Sequence, residues 1–289
     1  MRALRELRPM KALIAMSGGV DSSVAALLIR QKGFDCVGCT MKLYDAETEN
    51  GCCSLANVED ARAVARKLGF PYYVFNFTAD FRTAVIDRFI ECYRRGETPN
   101  PCVDCNRYLK FDRLFRRARE LGCDYIVTGH YARIEREGEK WTLKKAADPA
   151  KDQSYVLYNF TQEQLAHTLL PLGNMRKEET RLLAAENGLI TAGKPDSQDI
   201  CFVPDGDYAR VIEEMTGEQS KPGDFVDTAG RVMGRHRGLI HYTVGQRKGL
   251  GLALPEPYFV VRLEPETNRV VLGVARELMG SALTAGDFH

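Results

Sequence analysis

Lys11-Ala12-Leu13-Ile14-Ala15-Met16-Ser17-Gly18-Gly19-Val20-Asp21-Ser22-Ser23 is the stretch that decides the fold. Its first six residues form a short, mostly apolar run of strand length. Ser17-Gly18-Gly19 breaks that run, and from Asp21 the apolar residues Val24, Leu27 and Leu28 follow helical spacing. Strand, glycine turn and helix therefore come in that order. The glycines let the backbone curl, so that successive N–H groups and the start of the helix can face an anion. Ser17, Ser22 and Ser23 add hydroxyl donors. An ordinary tight turn with a serine cap would use the same residues, and spacing alone leaves both readings open. The G-x-G-x-x-G pattern and a loop ending in Gly-Lys-Ser/Thr are both missing, which removes the main support for dinucleotide and P-loop kinase readings.

Outward from this stretch, the pattern predicts strands at 34–43, 71–77 and 125–128 and helices at 55–68, 79–93 and 108–121, with a Pro-rich turn at 97–101. Strands alternating with helices of this length imply an α/β fold with a mostly parallel sheet covered on both faces. Ligands of such sheets bind beyond the strand C-termini, here after Met16, Met41, Phe77 and Thr128. After about residue 135 the pattern changes to a hairpin at 136–145 and helices at 161–170 and 176–187. A polar stretch at 191–199 and a short helix at about 207–215 come next. From Gly223 onward, Val-rich pieces separated by Gly and Pro predict a small antiparallel β unit, with a hairpin at 258–271 turned by Glu266-Thr267-Asn268. The expected domains are 1–160, a helical linker at 161–222 packed on the first domain, and 223–289.

The 289 residues, 44% of them hydrophobic, suffice for a proper core and exclude a peptide, a disulfide-stapled mini-protein and a disordered tail. Lys and Arg number 40 against 39 Asp and Glu, a formal charge of +1, so no global field draws the protein to nucleic acid. Any RNA contact must come from a local patch. Residues 81–119 hold ten Lys or Arg against five acids, which suits an RNA backbone, although a solvated helix face laced with ion pairs would show the same balance. Arg235, Arg237, Arg247 and Lys248, set among glycines, form a second basic stretch, and glycine-rich turns between strands would give the same composition without a ligand.

No apolar window approaches the roughly eighteen residues of a membrane span, and the start lacks an apolar run of signal-peptide length, so a cytoplasmic protein without membrane association is expected. Nine cysteines in a reducing compartment read as metal ligands, reactive thiols or small buried hydrophobes. The last reading is assigned to Cys36, Cys39, Cys92 and Cys123. Adjacent Cys52 and Cys53 read as loop residues. Cys102 and Cys105 follow a proline turn, and Cys201 follows the second polar loop. An isolated C-x-x-C is ambiguous among metal ligation, redox chemistry and coincidence. Zinc on these three would need a fourth ligand that the sequence does not offer.

Residues 15–22 resemble the pyrophosphate loop of the ATP pyrophosphatase superfamily. Further segments sharpen this: Thr40-Met41-Lys42-Leu43, Asn100-Pro101-Cys102-Val103-Asp104-Cys105-Asn106, Thr128-Gly129-His130-Tyr131-Ala132 and Lys151-Asp152-Gln153-Ser154-Tyr155. They continue with Gly193-Lys194-Pro195-Asp196-Ser197-Gln198-Asp199-Ile200-Cys201-Phe202 and Tyr242-Thr243-Val244-Gly245-Gln246-Arg247-Lys248-Gly249-Leu250. Together these ordered segments, spread over nearly the whole chain from Lys11, are similar to the bacterial tRNA-specific 2-thiouridylase (tRNA-uridine 2-sulfurtransferase) family.

The resemblance implies a sheet of the adenine nucleotide alpha hydrolase type and an ATP site lined by Ala15, Met16, Ser17, Gly18, Gly19, Val20, Asp21, Ser22, Met41 and Gly129. Asp21 would help hold Mg²⁺ against the phosphates, because hard cations prefer oxygen ligands. Asn100, Pro101 and Cys102 would lie beside a flipped target base, and Lys151, Asp152 and Gln153 would meet the tRNA. His130 is either a satisfied histidine at a strand end or a nucleotide contact. The activity implied is ATP-dependent 2-thiolation of the wobble uridine. ATP adenylates O2 of the uracil, and sulfur then attacks C2 and expels AMP.

In the family, the position of Cys201 accepts a persulfide from a sulfur-donor or relay protein, and the position of Cys105 attacks that sulfur or forms a disulfide with Cys201. This chain departs from the family at Cys102, where many members have Asp. Three thiolates from Cys102, Cys105 and Cys201 would instead suit a [4Fe–4S] cluster with one open iron, and the sequence reading favours that version. The chain also ends about where the family's further C-terminal barrel begins. That motivates two other readings: a related thiolase acting on another RNA or a small molecule, and a non-catalytic RNA-binding protein.

Overall fold

The computed structural model describes residues 9–44, 54–196, 200–203, 205–282 and 284–286. Cys52 and Cys53, the motif residues Ser197, Gln198 and Asp199, and the final Asp287, Phe288 and His289 lie outside them. The described chain runs β1 (Lys11–Ala15), α1 (Val20–Gln31), β2 (Asp35–Lys42), α2 (Leu55–Leu68), β3 (Tyr72–Asn76) and α3 (Thr78–Phe81). A π-helical turn, Arg82–Ile86, leads into α4 (Asp87–Arg94). Next come α5 (Pro101–Asp104), a π-helical stretch Cys105–Arg113, and α6 (Leu114–Glu120). β4 (Tyr125–Val127), β5 (Ala132–Glu137), β6 (Lys140–Lys145), α7 (Gln162–Ala166), β7 (Thr168–Leu169) and α8 (Lys177–Glu186) follow. The chain closes with α9 (Tyr208–Thr216), β8 (Gly223–Asp227), β9 (Val232–His236), β10 (Phe259–Glu264), β11 (Arg269–Gly273) and α10 (Ala275–Leu278).

Five parallel strands form one sheet in the order β3-β2-β1-β4-β7. β1 is apolar along its whole length because both of its faces are covered. Ala12 and Ile14 pack with Val24 and Ala25 of α1, Val64 of α2 and Ala184 of α8. Leu13 points the other way, into Phe111, Leu114 and Phe115. Leu13 and Ile14 are fully buried, and each contributes on the order of 1.5–3 kcal/mol. The chain leaves β1 for β2 and β3 on one side and returns to β4 on the other, so the switch point of the sheet lies between β1 and β4. That is where such folds bind ligands.

Several expectations need correction. The helix expected at 161–170 ends at Ala166, and Thr168–Leu169 instead pairs with β4 and extends the sheet. The helix expected from 108 begins at Pro101, since a proline already holds the backbone angle that the first helical position needs. The hairpin expected at 136–145 begins at Ala132.

The chain also divides into two compact units, 1–85 with 102–204 and 86–101 with 205–289. The first unit keeps the chain through 204 because its core draws on Leu172, Ala184 and Leu189. In the second unit, Phe89 and Tyr93 of α4 lie against Tyr208 of α9, which ties 86–101 to the later chain. Its sheet has the order β10-β11-β8-β9 around Phe225, Tyr242, Val260, Val270 and Leu272. The outer pairings are antiparallel as expected, but β11 and β8 run parallel. Asn268 closes the β10–β11 hairpin in the left-handed region at φ 50. Among the described residues, no helix is long and apolar enough to cross a membrane.

Candidate functional site

The loop between β1 and α1 lies at the switch point. Gly18 has φ +75, a conformation that costs other residues roughly 1–2 kcal/mol, and it packs so closely on the backbone of Asn57 that no side chain fits. Gly19 is the N-cap of α1, and no side chain caps that end. The hydroxyls of Ser22 and Ser23 instead donate to the carbonyl of Gly19, at 3.2 and 2.8 Å. No side chain caps the first N–H groups of α1, and such groups at a helix start can serve as donors for an anion. Ser17 N donates to Ser22 Oγ at 3.2 Å, closing the loop on itself. Below it, Thr40 Oγ1 donates to the carbonyl of Met16 at 2.5 Å, and Tyr72 OH reaches Thr40 at 2.6 Å.

Two further residues expected at this site are brought to it. Ala15 pairs with Cys39, which sets Met41 just beyond, at the C-terminal end of β2. Gly129 follows β4 and packs on the loop from the other side. A Cβ there would lie 2.7 Å from Ser22 N and 2.8 Å from the Asp21 carbonyl carbon. Ala15 through Ser22, Met41 and Gly129 therefore converge on one cradle.

The sequence reading missed the charges around that cradle. Lys177, at the start of α8 and 7% exposed, donates to both carboxylate oxygens of Asp21 at 2.6 and 2.7 Å. Tyr131 OH donates to the same carboxylate at 2.9 Å. Lys177 also lies 2.9 Å from Asp196, which Lys151 and Arg181 approach at 2.7 and 2.5 Å. Burial would raise the Asp196 carboxyl, but Lys151 and Lys177 hold it down to about 2. Lys194 ties the later loop to the cradle by donating to Gly18 O at 3.1 Å and Asn57 Oδ1 at 2.7 Å, and it pairs with Asp60. Mg²⁺ is commonly held by one or two carboxylates plus substrate phosphates and water. Asp21 offers such a carboxylate, and the ammonium of Lys177 already marks its oxygens as a place for positive charge. The residues fit the ion.

The three cysteines differ in exposure. Cys102 is exposed, Cys105 buried and Cys201 half-buried. The backbone of Cys102 accepts a bond from Asn106 Nδ2 at 2.9 Å. The protein packed around Cys102 pushes its thiol up, with Lys110 acting in the opposite sense. The Cys201 carbonyl accepts a bond from Tyr44 OH, and Phe202 meets the ring of Phe81 edge-on at 5.7 Å. The helix of Cys105 leans on the same α3, where Arg113 pairs with Asp80 at 3.0 Å. Cys105 and Cys201 thus belong to segments that share one support. Among the described residues, however, no three His, Cys, Asp or Glu side chains gather as a metal site.

Residues 10–205 match the tRNA methyl transferase HUP domain, and residues 210–274 match the tRNA methyl transferase PRC-barrel domain. The tRNA-specific 2-thiouridylase MnmA of Lachnoclostridium phytofermentans is 53% identical over 286 residues, which is 96% of this chain and 80% of that protein. MnmA of Carboxydothermus hydrogenoformans is 54% identical over 287 residues, 96% of this chain and 79% of that protein. The chain belongs to the tRNA-specific 2-thiouridylase family. Among solved structures, the U34-tRNA thiolase NcsA of Methanococcus maripaludis with its [4Fe–4S] cluster aligns at 18% identity and TM-score 0.44, over 75% of this chain and 71% of that one. That likeness is too loose to bear on the site.

The side chains after Lys151 are tied into a local turn. Asp152 accepts bonds from Ala146 N at 2.8 Å and Ser154 Oγ at 2.8 Å. Gln153 Oε1 accepts from Tyr131 N at 3.0 Å. Both side chains shape the turn that presents Lys151. In the basic stretch 81–119, Arg94, Arg95, Arg113, Arg116, Arg117 and Arg119 are held in surface ion pairs. Such exposed pairs contribute little to stability. Asn100 and Pro101 fall in the second unit, immediately before Cys102.

His130 is buried, its Nδ1 2.8 Å from Thr128 Oγ1. Burial, aided by the charge of Lys110, holds its pKa well below the ordinary value. The unfolded imidazole takes up a proton near pH 6.5 while the folded one stays neutral. The stabilisation is thus complete above that pH and is lost as the pH falls below it. Urea unfolding is expected to show a steeper loss between pH 7 and 5.5 in the wild type than in His130→Gln.

Proposed function

We propose that this chain performs ATP-dependent 2-thiolation of the wobble uridine of tRNA. Its family membership supports this reading, and one observation carries it: a helix start at the β1/β4 switch point that no side chain caps, in a glycine loop that the Asn57 backbone and Gly129 pack against and hold in shape. The N–H groups of the loop, with Lys194, are assigned to the polyphosphate, and Asp21 to Mg²⁺. When bound, Mg²⁺ offsets phosphate charge. The uracil O2 attacks the α-phosphorus and pyrophosphate leaves, which turns a poor leaving group at C2 into AMP. Extruding a loop nucleotide for this step costs less than extruding a paired one. Lys151 is assigned to the RNA backbone, with Asp152 and Gln153 positioning it.

For the sulfur step we assign the carrier to Cys201, loaded as a persulfide by a donor protein, and the releasing thiol to Cys105. Terminal sulfur attacks C2, AMP departs, and Cys105 takes the remaining Cys201 sulfur into a disulfide. That no three His, Cys, Asp or Glu side chains gather among the described residues supports this over a cluster. Cys102→Ser separates the two versions. Thiouridine formation, measured by mass spectrometry of digested tRNA, is expected to stay within about threefold of wild type. A loss of a hundredfold or more, together with stoichiometric iron and sulfide in anaerobically purified protein, would restore the cluster.

A further inference from the structure

Asp21, Lys177, Asp196 and Lys151 form a row of alternating charge. It starts in the first turn of α1, passes through a buried lysine, and ends on a side chain that is 39% exposed. Neighbouring members lie 2.6–2.9 Å apart. Lys177 is the shared element, since one ammonium serves two carboxylates. Asp196 is likewise shared, with Lys151 on Oδ2 and Lys177 and Arg181 on Oδ1. A charge added at either end must change how strongly the middle members hold each other, because at these separations Coulomb terms in a partly buried site are several-fold larger than in water.

The sign follows from the order. A phosphate that engages Lys151 weakens its hold on Asp196. Asp196, left with less positive charge, draws Lys177 more strongly. Lys177 then neutralises Asp21 less, and the Asp21 carboxylate is better able to accept Mg²⁺. By linkage, Mg²⁺ on Asp21 frees Lys177 toward Asp196 and so eases the release of Lys151 to a phosphate. We propose that Asp196 is a positioning residue through which RNA bound at Lys151 and Mg·ATP bound at the phosphate loop each strengthen the binding of the other.

This rests on the assignment of ATP and RNA made above, and the test distinguishes the two. The dissociation constant of Mg²⁺ with α,β-methylene-ATP, which cannot be adenylating, is measured by calorimetry with and without saturating unmodified tRNA. Wild-type protein is expected to bind the analogue about fivefold or more tighter with tRNA present, the lower end of ordinary coupling. Asp196→Asn is expected to bring that ratio to about one, and Asp196→Glu to restore it in part. Lys151→Gln, altered on an exposed side chain, is expected to lose the ratio too, which guards against Asp196→Asn failing to fold. A wild-type ratio of one with both ligands bound overturns the coupling and leaves the functional assignment standing. A ratio unchanged in Asp196→Asn overturns the role of Asp196. If wild-type protein binds neither ligand, the functional assignment falls, and the coupling with it.

Discussion

Gly129→Ala is expected to lower ATP-dependent pyrophosphate release by about a hundredfold or more while the protein still folds. The added methyl carbon would lie 2.7 Å from Ser22 N and 2.8 Å from the Asp21 carbonyl carbon, closer than such atoms approach in folded proteins. Both neighbours are backbone, so the loop or the residue after β4 has to move. A displacement approaching 1 Å can cost about a hundredfold in rate. Overpacking of this kind costs about 1–3 kcal/mol in stability, a few degrees in melting temperature for a chain of this size. Pyrophosphate release and thermal melting measured on the same preparation separate the two effects. Release within threefold of wild type would show that the nucleotide does not use this cradle.

Cys201→Ser is expected to reduce thiouridine formation by at least a thousandfold, because a hydroxyl cannot carry the transferable sulfur. Cys105→Ser is expected to match it, since the carrier sulfur is then not drawn off. Adenylation should survive in both variants as a single burst of pyrophosphate, about one equivalent per bound tRNA. That burst, followed in a quench experiment, shows that the serine has not disturbed the phosphate loop. Thiouridine at wild-type rates in either variant rules out the assigned sulfur chemistry.

The phosphate loop was legible because its information is local. Seven consecutive residues, 17–23, supply the turn, the hydroxyls and the helix start, and short range needs no knowledge of packing. The role of Lys177 was not legible, because its partner Asp21 lies 156 residues away in sequence, and that of Asp196 was not because it depends on Lys177 and Lys151. Only the packing of α8 beside α1, through Ala184 and Val24, brings the charges together. Lys177 and Arg181 stand four apart, which places them on one helical face, yet acidic neighbours make them look like an ordinary solvated surface. Thr168–Leu169 was missed for a related reason. A two-residue edge strand has no periodicity, and its pairing with β4 is tertiary. The cysteines at 102 and 105 were visible as a pair, but the pitch of the helix that follows them was not.

That pitch has a consequence for how the chain can vary. From Cys105 to Arg113 the backbone winds wider than an α-helix, the state reached when one surplus residue is absorbed into a turn. Deleting a single position there would tighten the coil and swing everything before it by about 100° around the axis, carrying both sulfurs off their present bearing. Relatives with this chemistry should therefore gain and lose residues freely in surface connections but keep the count between Cys105 and Leu114 fixed, as a screw keeps its thread.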